Sequence, residues 1–269
     1  MQNLNLEKIT EQVRSLAVDA GTFLRNERKT FDRGRVEEKG AHDYVSYVDK
    51  ESEKRIVKRL HEILPEAGFI AEEGSGSLTT EEYCWVVDPL DGTTNFIHDN
   101  APYCVSIALR NREELLVGVV YEVCRDECFW AWKGSKAYMN GKEIHVSAIE
   151  NIDTAFIQLG FPYNAERFRN FVSHVISHLY GNVGGLRVQG SAAAELCYIA
   201  AGRFEARLEG LLGPWDVAAG ALILMQAGGK LTDFSGGNEF YSGKEVLATN
   251  GKIHDNLLSV VKKYIYLCN

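Results

Sequence analysis

Proline is scarce, at 5 of 269 positions, so the chain carries no collagen-like tract and no proline-rich linker. Positive charge is also in deficit. Lys and Arg number 29 against 37 Asp and Glu, a net charge of −8, so no overall basic field is available to hold DNA or another long polyanion. Long apolar runs are missing: the stretch 217–227 is interrupted by Gly220 and Gln226 and falls far short of the roughly 20 residues that cross a bilayer. The opening MQNLNLEKIT lacks the apolar core of a secretory leader. Six cysteines (Cys84, Cys104, Cys124, Cys128, Cys197 and Cys268) are scattered. Cys124 and Cys128 form a close pair, but no second pair or nearby His completes a zinc set. Buried reduced thiols and a soluble, cytoplasmic protein that binds neither nucleic acid nor membrane are therefore expected. The histidines, for example His98 and His145, read as surface or structural residues.

With 45% hydrophobic and 25% charged residues, what remains is an ordinary globular chain. Its length suffices to bury about three-quarters of its unfolded surface. Apolar residues at 6, 9, 13, 16, 17, 20, 23 and 24 form one stripe at helical spacing and predict a helix over 6–24. A second helix is predicted from Asp49 to Leu64, stopped by Pro65, followed by a strand at 68–71 that ends in Glu72-Glu73. Strand signals then dominate at 83–87, 103–110, 115–123 and 127–132, with Asn140-Gly141 marking a hairpin before a strand at 144–146. Beyond Ala148 strands and helices alternate: strand 156–159, helix 166–179, strand 186–188, helix 191–200, strand 203–208, helix 217–227, short strands near Leu231 and Val246, and a closing helix from Asp255. The pattern predicts an α+β fold of layered helices and sheets without internal repeats. One domain spanning 1–269 is expected, with possible halves at 1–148 and 149–269.

Chemistry concentrates in Asp88-Pro89-Leu90-Asp91-Gly92-Thr93-Thr94-Asn95. An apolar strand runs into two carboxylates three residues apart; Pro89 fixes φ between them and Gly92 permits a tight bend, so both acids can face one point. A surface turn is the bland alternative, since Asp-Gly is a common hairpin signal. The Thr-Thr-Asn run that follows offers hydroxyls and backbone N–H groups suited to phosphate oxygens. Glu72 and Glu73 end another strand, and Asp216 opens an apolar helix, where it could equally be a simple cap. Carboxylates about 4 Å apart repel by roughly 4 kcal/mol at an effective dielectric of 20. Gathering Glu72, Asp88, Asp91 and Asp216 therefore calls for hard cations. An all-oxygen donor set without His or Cys selects magnesium, manganese or calcium, and magnesium suits a site shared with phosphate.

The Asp88–Asn95 segment, with Trp215-Asp216-Val217-Ala218-Ala219-Gly220 some 128 positions further on, resembles the two signatures of the inositol monophosphatase family. Glu72-Glu73, the segment KGAHDYVSYVD at 39–49 and GSKAYMNGKEIHV at 134–146 are similar to further family segments in the same order, so the resemblance spans about residues 5 to 265. It implies a layered αβαβα sandwich of the inositol monophosphatase/fructose-1,6-bisphosphatase type, a homodimer, and a lithium-sensitive magnesium phosphatase. It also implies site roles. Glu72, Asp88 and the Leu90 carbonyl would hold a first Mg2+, and Asp88, Asp91 and Asp216 a second; Glu72 would share a weaker third, and Mn2+ could substitute. Thr93 and Asp49 would position and deprotonate the attacking water. Backbone N–H groups of Gly92 and Thr93 would hold phosphate, and Glu209, Gly190, Ser191 and Ala192 would line the pocket for the alcohol.

The substrate so implied is a small phosphorylated polyol or sugar, foremost inositol monophosphate. Alternatives within the class are 3′-phosphoadenosine 5′-phosphate, fructose 1,6-bisphosphate and histidinol phosphate. Phe161-Pro162-Tyr163 and Gly213-Pro214 stand where some relatives carry polar residues, and one residue fewer separates Lys39 from Asp43, which leaves Lys39 without a role. A reading from a different class is a cation-binding interaction module, for example on the transcription machinery.

Overall fold

The computed structural model describes residues 4–40, 43–75, 81–162, 165–242 and 244–268. Helix α1 (Leu6–Lys29) is capped by Asn5, whose side chain accepts from the Lys8 N–H at 3.0 Å, and it buries the predicted stripe through Leu24. After a hairpin of β1 (Val36–Gly40) and β2 (Asp43–Ser46), helix α2 (Tyr47–Ile63) begins two residues before the predicted start. Ser46 is its cap, and Asp49 sits at the third helical position. The Asp49 carboxylate reaches back to the Ser46 N–H at 2.9 Å, closing a reciprocal capping box.

Seven strands follow in one sheet, ordered β3-β4-β5-β6-β7-β8-β9. They are β3 (Gly68–Ala71), β4 (Tyr83–Asp91), β5 (Cys104–Asn111), β6 (Leu115–Glu122), β7 (Glu127–Trp132), β8 (Ala137–Met139) and β9 (Lys142–Ile144). The short helix α3 (Thr93–His98) leaves the end of β4. The hairpin forms at Asn140-Gly141, both with positive φ, but β9 ends at Ile144 rather than continuing to Val146. The Val146 N–H instead bonds the Ala227 carbonyl at 3.2 Å, which draws the chain away from the sheet edge.

The second half holds β10 (Phe156–Leu159), α4 (Ala165–Leu179), β11 (Gly185–Arg187), α5 (Ala192–Ala200), β12 (Ala206–Gly210), α6 (Pro214–Gln226), β13 (Lys230–Thr232), β14 (Glu245–Thr249) and α7 (His254–Tyr264). Its five strands are ordered β11-β10-β12-β14-β13, with β10 parallel to both neighbours and β14 antiparallel to both of its own. Strand β12 starts three residues later than the pattern predicts. Arg203 belongs to the turn after α5, where its guanidinium makes two 2.7 Å bonds to Glu127.

Period-two alternation sorts the strand residues into layers. Trp85, Val87, Val105, Ile107, Val117 and Val119 face α1 and α2, whereas Val86, Ala108, Val120 and Phe129 face α5 and α6. Val246 and Ala248 close the other side of that helical layer, and Ile157, Leu208 and Leu247 pack outward against α4 and α7. The result is the expected α+β sandwich of five layers, αβαβα. Close approach fixes α6 on the first sheet. A Cβ at Gly118 of β6 would lie 2.6 Å from the Ala219 carbonyl oxygen, so only glycine lets the backbones meet there.

Candidate active site

The sequence Asp88-Pro89-Leu90-Asp91 lies inside β4, not in a surface turn. Side chains three residues apart on a regular strand point to opposite faces. Here the β4–β5 register shifts between Asp88, opposite Ser106, and Asp91, opposite Cys104, inserting an extra residue that turns both carboxylates to one side. Pro89, which has no N–H to offer, is tolerated at such a bulge. Its carbonyl accepts from Ser52 Oγ of α2 at 3.2 Å, and Asp88 Oδ1 accepts the Leu90 N–H at 2.9 Å. Gly92 then turns with φ 91°, and a Cβ there would lie 3.0 Å from the Pro102 carbonyl oxygen. No other residue fits this bend between β4 and α3 without strain.

Asp216 arrives from the other half of the chain at the third position of α6, where Oδ2 accepts the Gly213 N–H at 2.6 Å. One ligand atom from each of Asp88, Asp91 and Asp216 lies within 4.8 Å of the others. Glu72, half-buried at the end of β3, faces the same cavity of about 180 Å³, together with Leu90, Gly92, Thr93 and Asp216. Burial first, and then repulsion from Glu72, Asp91 and Asp216, holds the Asp88 carboxyl well above the usual carboxylate range. Asp216 is raised likewise, by burial and then by Asp91 and Glu72. Burial also raises Asp91, against the pull of its donors: Ser191 Oγ and the Ala193 N–H at 2.7 Å and the Ala192 N–H at 3.2 Å. The N-terminal turns of α3, α5 and α6 converge on these acids, which partly offsets the charge.

The cluster fits hard divalent cations. Its donors are carboxylate oxygens with no His or Cys among them, and their mutual repulsion is the kind that a bound cation relieves.

Thr93 opens α3, and its hydroxyl lies 2.9 Å from Asp49 Oδ1 and 3.0 Å from the Leu90 carbonyl oxygen. Asp49 is fully buried; desolvation raises its pKa against the donors from Ser46 and Thr93. Thr93 lines the cavity, so its hydroxyl lies between that space and the buried Asp49 carboxylate.

A second cavity, of about 280 Å³, adjoins the first across Asp91, Gly92, Leu211 and Asp216. Gly190, Ala192 and Glu209 line it, as do Phe161 and Pro162. Ser191 is buried and committed to Asp91. Asn95 Nδ2 ties the region together by donating to the Pro102 and Gln189 carbonyls at 2.7 Å each. Burial pushes the Glu209 carboxyl up to about 7, even though Arg207 beside it pulls the other way. Lys39 lies in β1; KGAHDYVSYVD also includes Ala41 and His42, which fall outside the described residues, as does Tyr163.

Three buried residues of this neighbourhood escaped the sequence reading. Glu53 accepts the Glu73 and Ser75 N–H groups at 2.7 and 2.8 Å and so anchors the loop that carries Glu72. It lies four residues beyond Asp49, on the same helix face, and that spacing is the signal that could have found it. Arg207 bonds Glu195 Oε2 at 2.6 Å and also Glu209. Charges set in the apolar runs Ala192–Ala200 and Ala206–Gly210 were the available clue.

A five-layer fold with converging acids beside a Gly-Thr turn defines a class, and the comparisons agree. The family model for the inositol monophosphatase family matches residues 5–266. The chain is 36% identical over 261 residues to a protein of Aquifex aeolicus named fructose-1,6-bisphosphatase/inositol-1-monophosphatase, covering 97% of this chain and 98% of that one. It is 37% identical to the Nus factor SuhB of Pseudomonas aeruginosa, covering 93% and 94%. The crystal structure of extragenic suppressor protein suhB from Bartonella henselae superposes with a TM-score of 0.90 at 34% identity, covering 95% of this chain and 99% of that one. The chain belongs to the inositol monophosphatase family, a family of metal-dependent phosphatases acting on small phosphorylated substrates. Among the described residues no helix is long and apolar enough to cross a membrane.

Proposed function

We propose that the protein hydrolyses a phosphate monoester of a small polyol, foremost inositol monophosphate, with Mg2+ as the metal and water as the nucleophile. The observation that carries this reading is the convergence of Asp88, Asp91 and Asp216 within 4.8 Å, beside Glu72 and the Gly92-Thr93 turn. Bound among these acids, magnesium would supply charge neutralisation and activation of water, so no side-chain nucleophile is needed. Asp88, Asp91, Asp216, Glu72 and the Leu90 carbonyl would hold it. The Gly92 and Thr93 N–H groups would receive the phosphate oxygens. Thr93 would orient the attacking water and pass its proton to Asp49, which burial readies for the task. Glu209 would accept from a hydroxyl of the alcohol part in the adjoining cavity.

Phosphate release from inositol 1-phosphate with magnesium, and again after stringent chelation, tests the proposal. Activity is expected to vanish with the metal and in Asp88→Asn; full activity in either case would overturn it. A panel including fructose 1,6-bisphosphate, 3′-phosphoadenosine 5′-phosphate and histidinol phosphate ranks the substrates by kcat/KM. The second reading, an interaction module of the transcription machinery, draws on the Nus factor name of the Pseudomonas aeruginosa relative. A stoichiometric protein partner recovered by pull-down, with the substrate panel silent, would favour it.

A further inference from the structure

Helix α2 fully buries three polar side chains, Asp49, Ser52 and Glu53, at the spacing that puts them on one face. Each reaches a different segment of the site. Asp49 meets the Thr93 hydroxyl at 2.9 Å, and Ser52 donates to the Pro89 carbonyl at 3.2 Å. Glu53 lines neither cavity; its Oε2 accepts the Glu73 N–H at 2.7 Å and its Oε1 the Ser75 N–H at 2.8 Å. The two bonds straddle Gly74, which has φ 90° and open space where a Cβ would lie. Pairing of β3 with β4 ends at Ala71, opposite Val87, so Glu72 is the first residue beyond the sheet. The backbone bonds beside it are longer: 3.2 Å from the Glu72 N–H to the Val87 carbonyl, and 3.4 Å from the Gly74 N–H to the Ala71 carbonyl. Glu53 pairs with no Lys, Arg or His among the described residues. A carboxylate buried without a counter-ion is costly, and here both of its oxygens are committed to the three residues that follow Glu72.

We propose that Glu53 is a positioning residue for the metal: by clamping the backbone at 73–75 it fixes the Glu72 carboxylate in the cavity and sets the affinity for the ion that Glu72 would hold. A carboxylate just past the end of a strand has conformations to lose when it takes up an ion. Clamped, it has lost them on folding, and binding is tighter for it. Asp88, Asp91 and Asp216 do not depend on this clamp, because each has donors of its own: the Leu90 N–H, Ser191 with the Ala193 N–H, and the Gly213 N–H. Loss of Glu53 therefore weakens the contribution of Glu72 and leaves the three aspartates gathered. The same helix face holds Asp49 one turn away, so the Glu72 loop and the Thr93–Asp49 pair are referred to one rigid element. The inference rests on the metal site of the phosphatase reading and deepens it.

The test is Mn2+ binding, followed through the electron paramagnetic resonance signal of the free ion, in the wild type, Glu53→Gln and Val13→Ala. Glu53→Gln keeps the shape but turns an NH2 group toward one of the two N–H donors. It is expected to raise the Kd of at least one Mn2+ by about 10- to 100-fold, and the magnesium needed for half-maximal phosphate release with it. At saturating magnesium its kcat should return to within about threefold of the wild type, which places the loss in metal affinity. Hydrogen exchange in chelator should quicken at the Glu73 and Ser75 amides and not at Leu90. Val13→Ala, in the buried stripe of α1, lowers Tm and should leave every Mn2+ Kd unchanged, which separates the clamp from a general loss of stability. Every Mn2+ Kd of Glu53→Gln within about threefold of the wild type, or an equal weakening in Val13→Ala, would overturn the proposal. If Glu53→Gln does not fold, Glu53→Asp takes its place, with the charge kept and the reach one methylene short. The same weakening is expected, and wild-type Mn2+ affinity with fast exchange at 73 and 75 would refute the clamp. If the wild type binds Mn2+ but cleaves no ester, the phosphatase reading fails and the titrations still decide the role of Glu53.

Discussion

Removing the Asp88 charge should stabilise the metal-free protein and abolish its response to magnesium. The ligand atoms of Asp88, Asp91 and Asp216 lie within 4.8 Å of one another. At that separation and an effective dielectric of about 20, each pair repels by about 3.5 kcal/mol, and Asp88 takes part in two of the three pairs. The full relief of about 7 kcal/mol is not available, because the wild-type site escapes part of its repulsion by taking up a proton. A net gain of about 1–3 kcal/mol is expected for Asp88→Asn in chelator, raising Tm by roughly 2–4 °C per kcal/mol. Asn keeps the Oδ1 that accepts the Leu90 N–H, so the bulge survives the change. Magnesium at about 1,000 times its Kd adds about 4.1 kcal/mol to the wild type alone, which reverses the order. The repulsion also sets a pH dependence. Asp88 and Asp216 have folded pKa values above their unfolded ones, so between the two the folded state binds more protons and stability falls as pH rises. Calorimetry in chelator and in magnesium reads all of this. Asp88→Asn melting below the wild type in chelator, with magnesium raising both equally, would refute the reasoning.

Other outcomes can be checked alongside. Thr93→Ala should lower kcat by about 100-fold or more while changing magnesium affinity little, because the hydroxyl that bonds Asp49 is proposed to link it to the attacking water; an unchanged kcat would remove that role. Leu211, at the wall shared by the two cavities, is held at φ 61°, a region that costs a bulky side chain about 1–2 kcal/mol. Leu211→Gly should therefore melt above Leu211→Ala, the reverse of the usual order, and Ala equal to or above Gly in thermal unfolding would contradict the strain. The Glu209 carboxyl, pushed up to about 7 from 4.5, destabilises the fold increasingly as pH rises between those values. Glu209→Gln should flatten the stability profile in that window, and a profile identical to the wild type's would show that burial does not raise this group.

Much of this architecture is legible in the amino-acid order because local patterns alternate along it. The helical stripe from Leu6 to Leu24 and the short, β-branched apolar run at 115–123 need no partner to be read. The acids at 88, 91 and 216 are legible as chemistry, yet what gathers them is not local. The bulge that re-aims Asp91 arises from pairing with Ser106 and Cys104, and the approach of α6 depends on Gly118 meeting Ala219. Strand β12 begins late because Arg203 answers to Glu127, 76 positions away. The Arg207 strut shows the same limit: its partner Glu195 lies on α5, and only the packing of that helix against β12 brings the two within 2.6 Å.

The most direct measurement is a crystal soaked in manganese and inorganic phosphate, with the metal located by its anomalous scattering. Manganese peaks bounded by Asp88, Asp91 and Asp216, with phosphate oxygens against the Gly92 and Thr93 N–H groups, are the predicted result. A cluster of acids that stays free of metal at saturating manganese, or ions that settle elsewhere on the chain, would contradict the account.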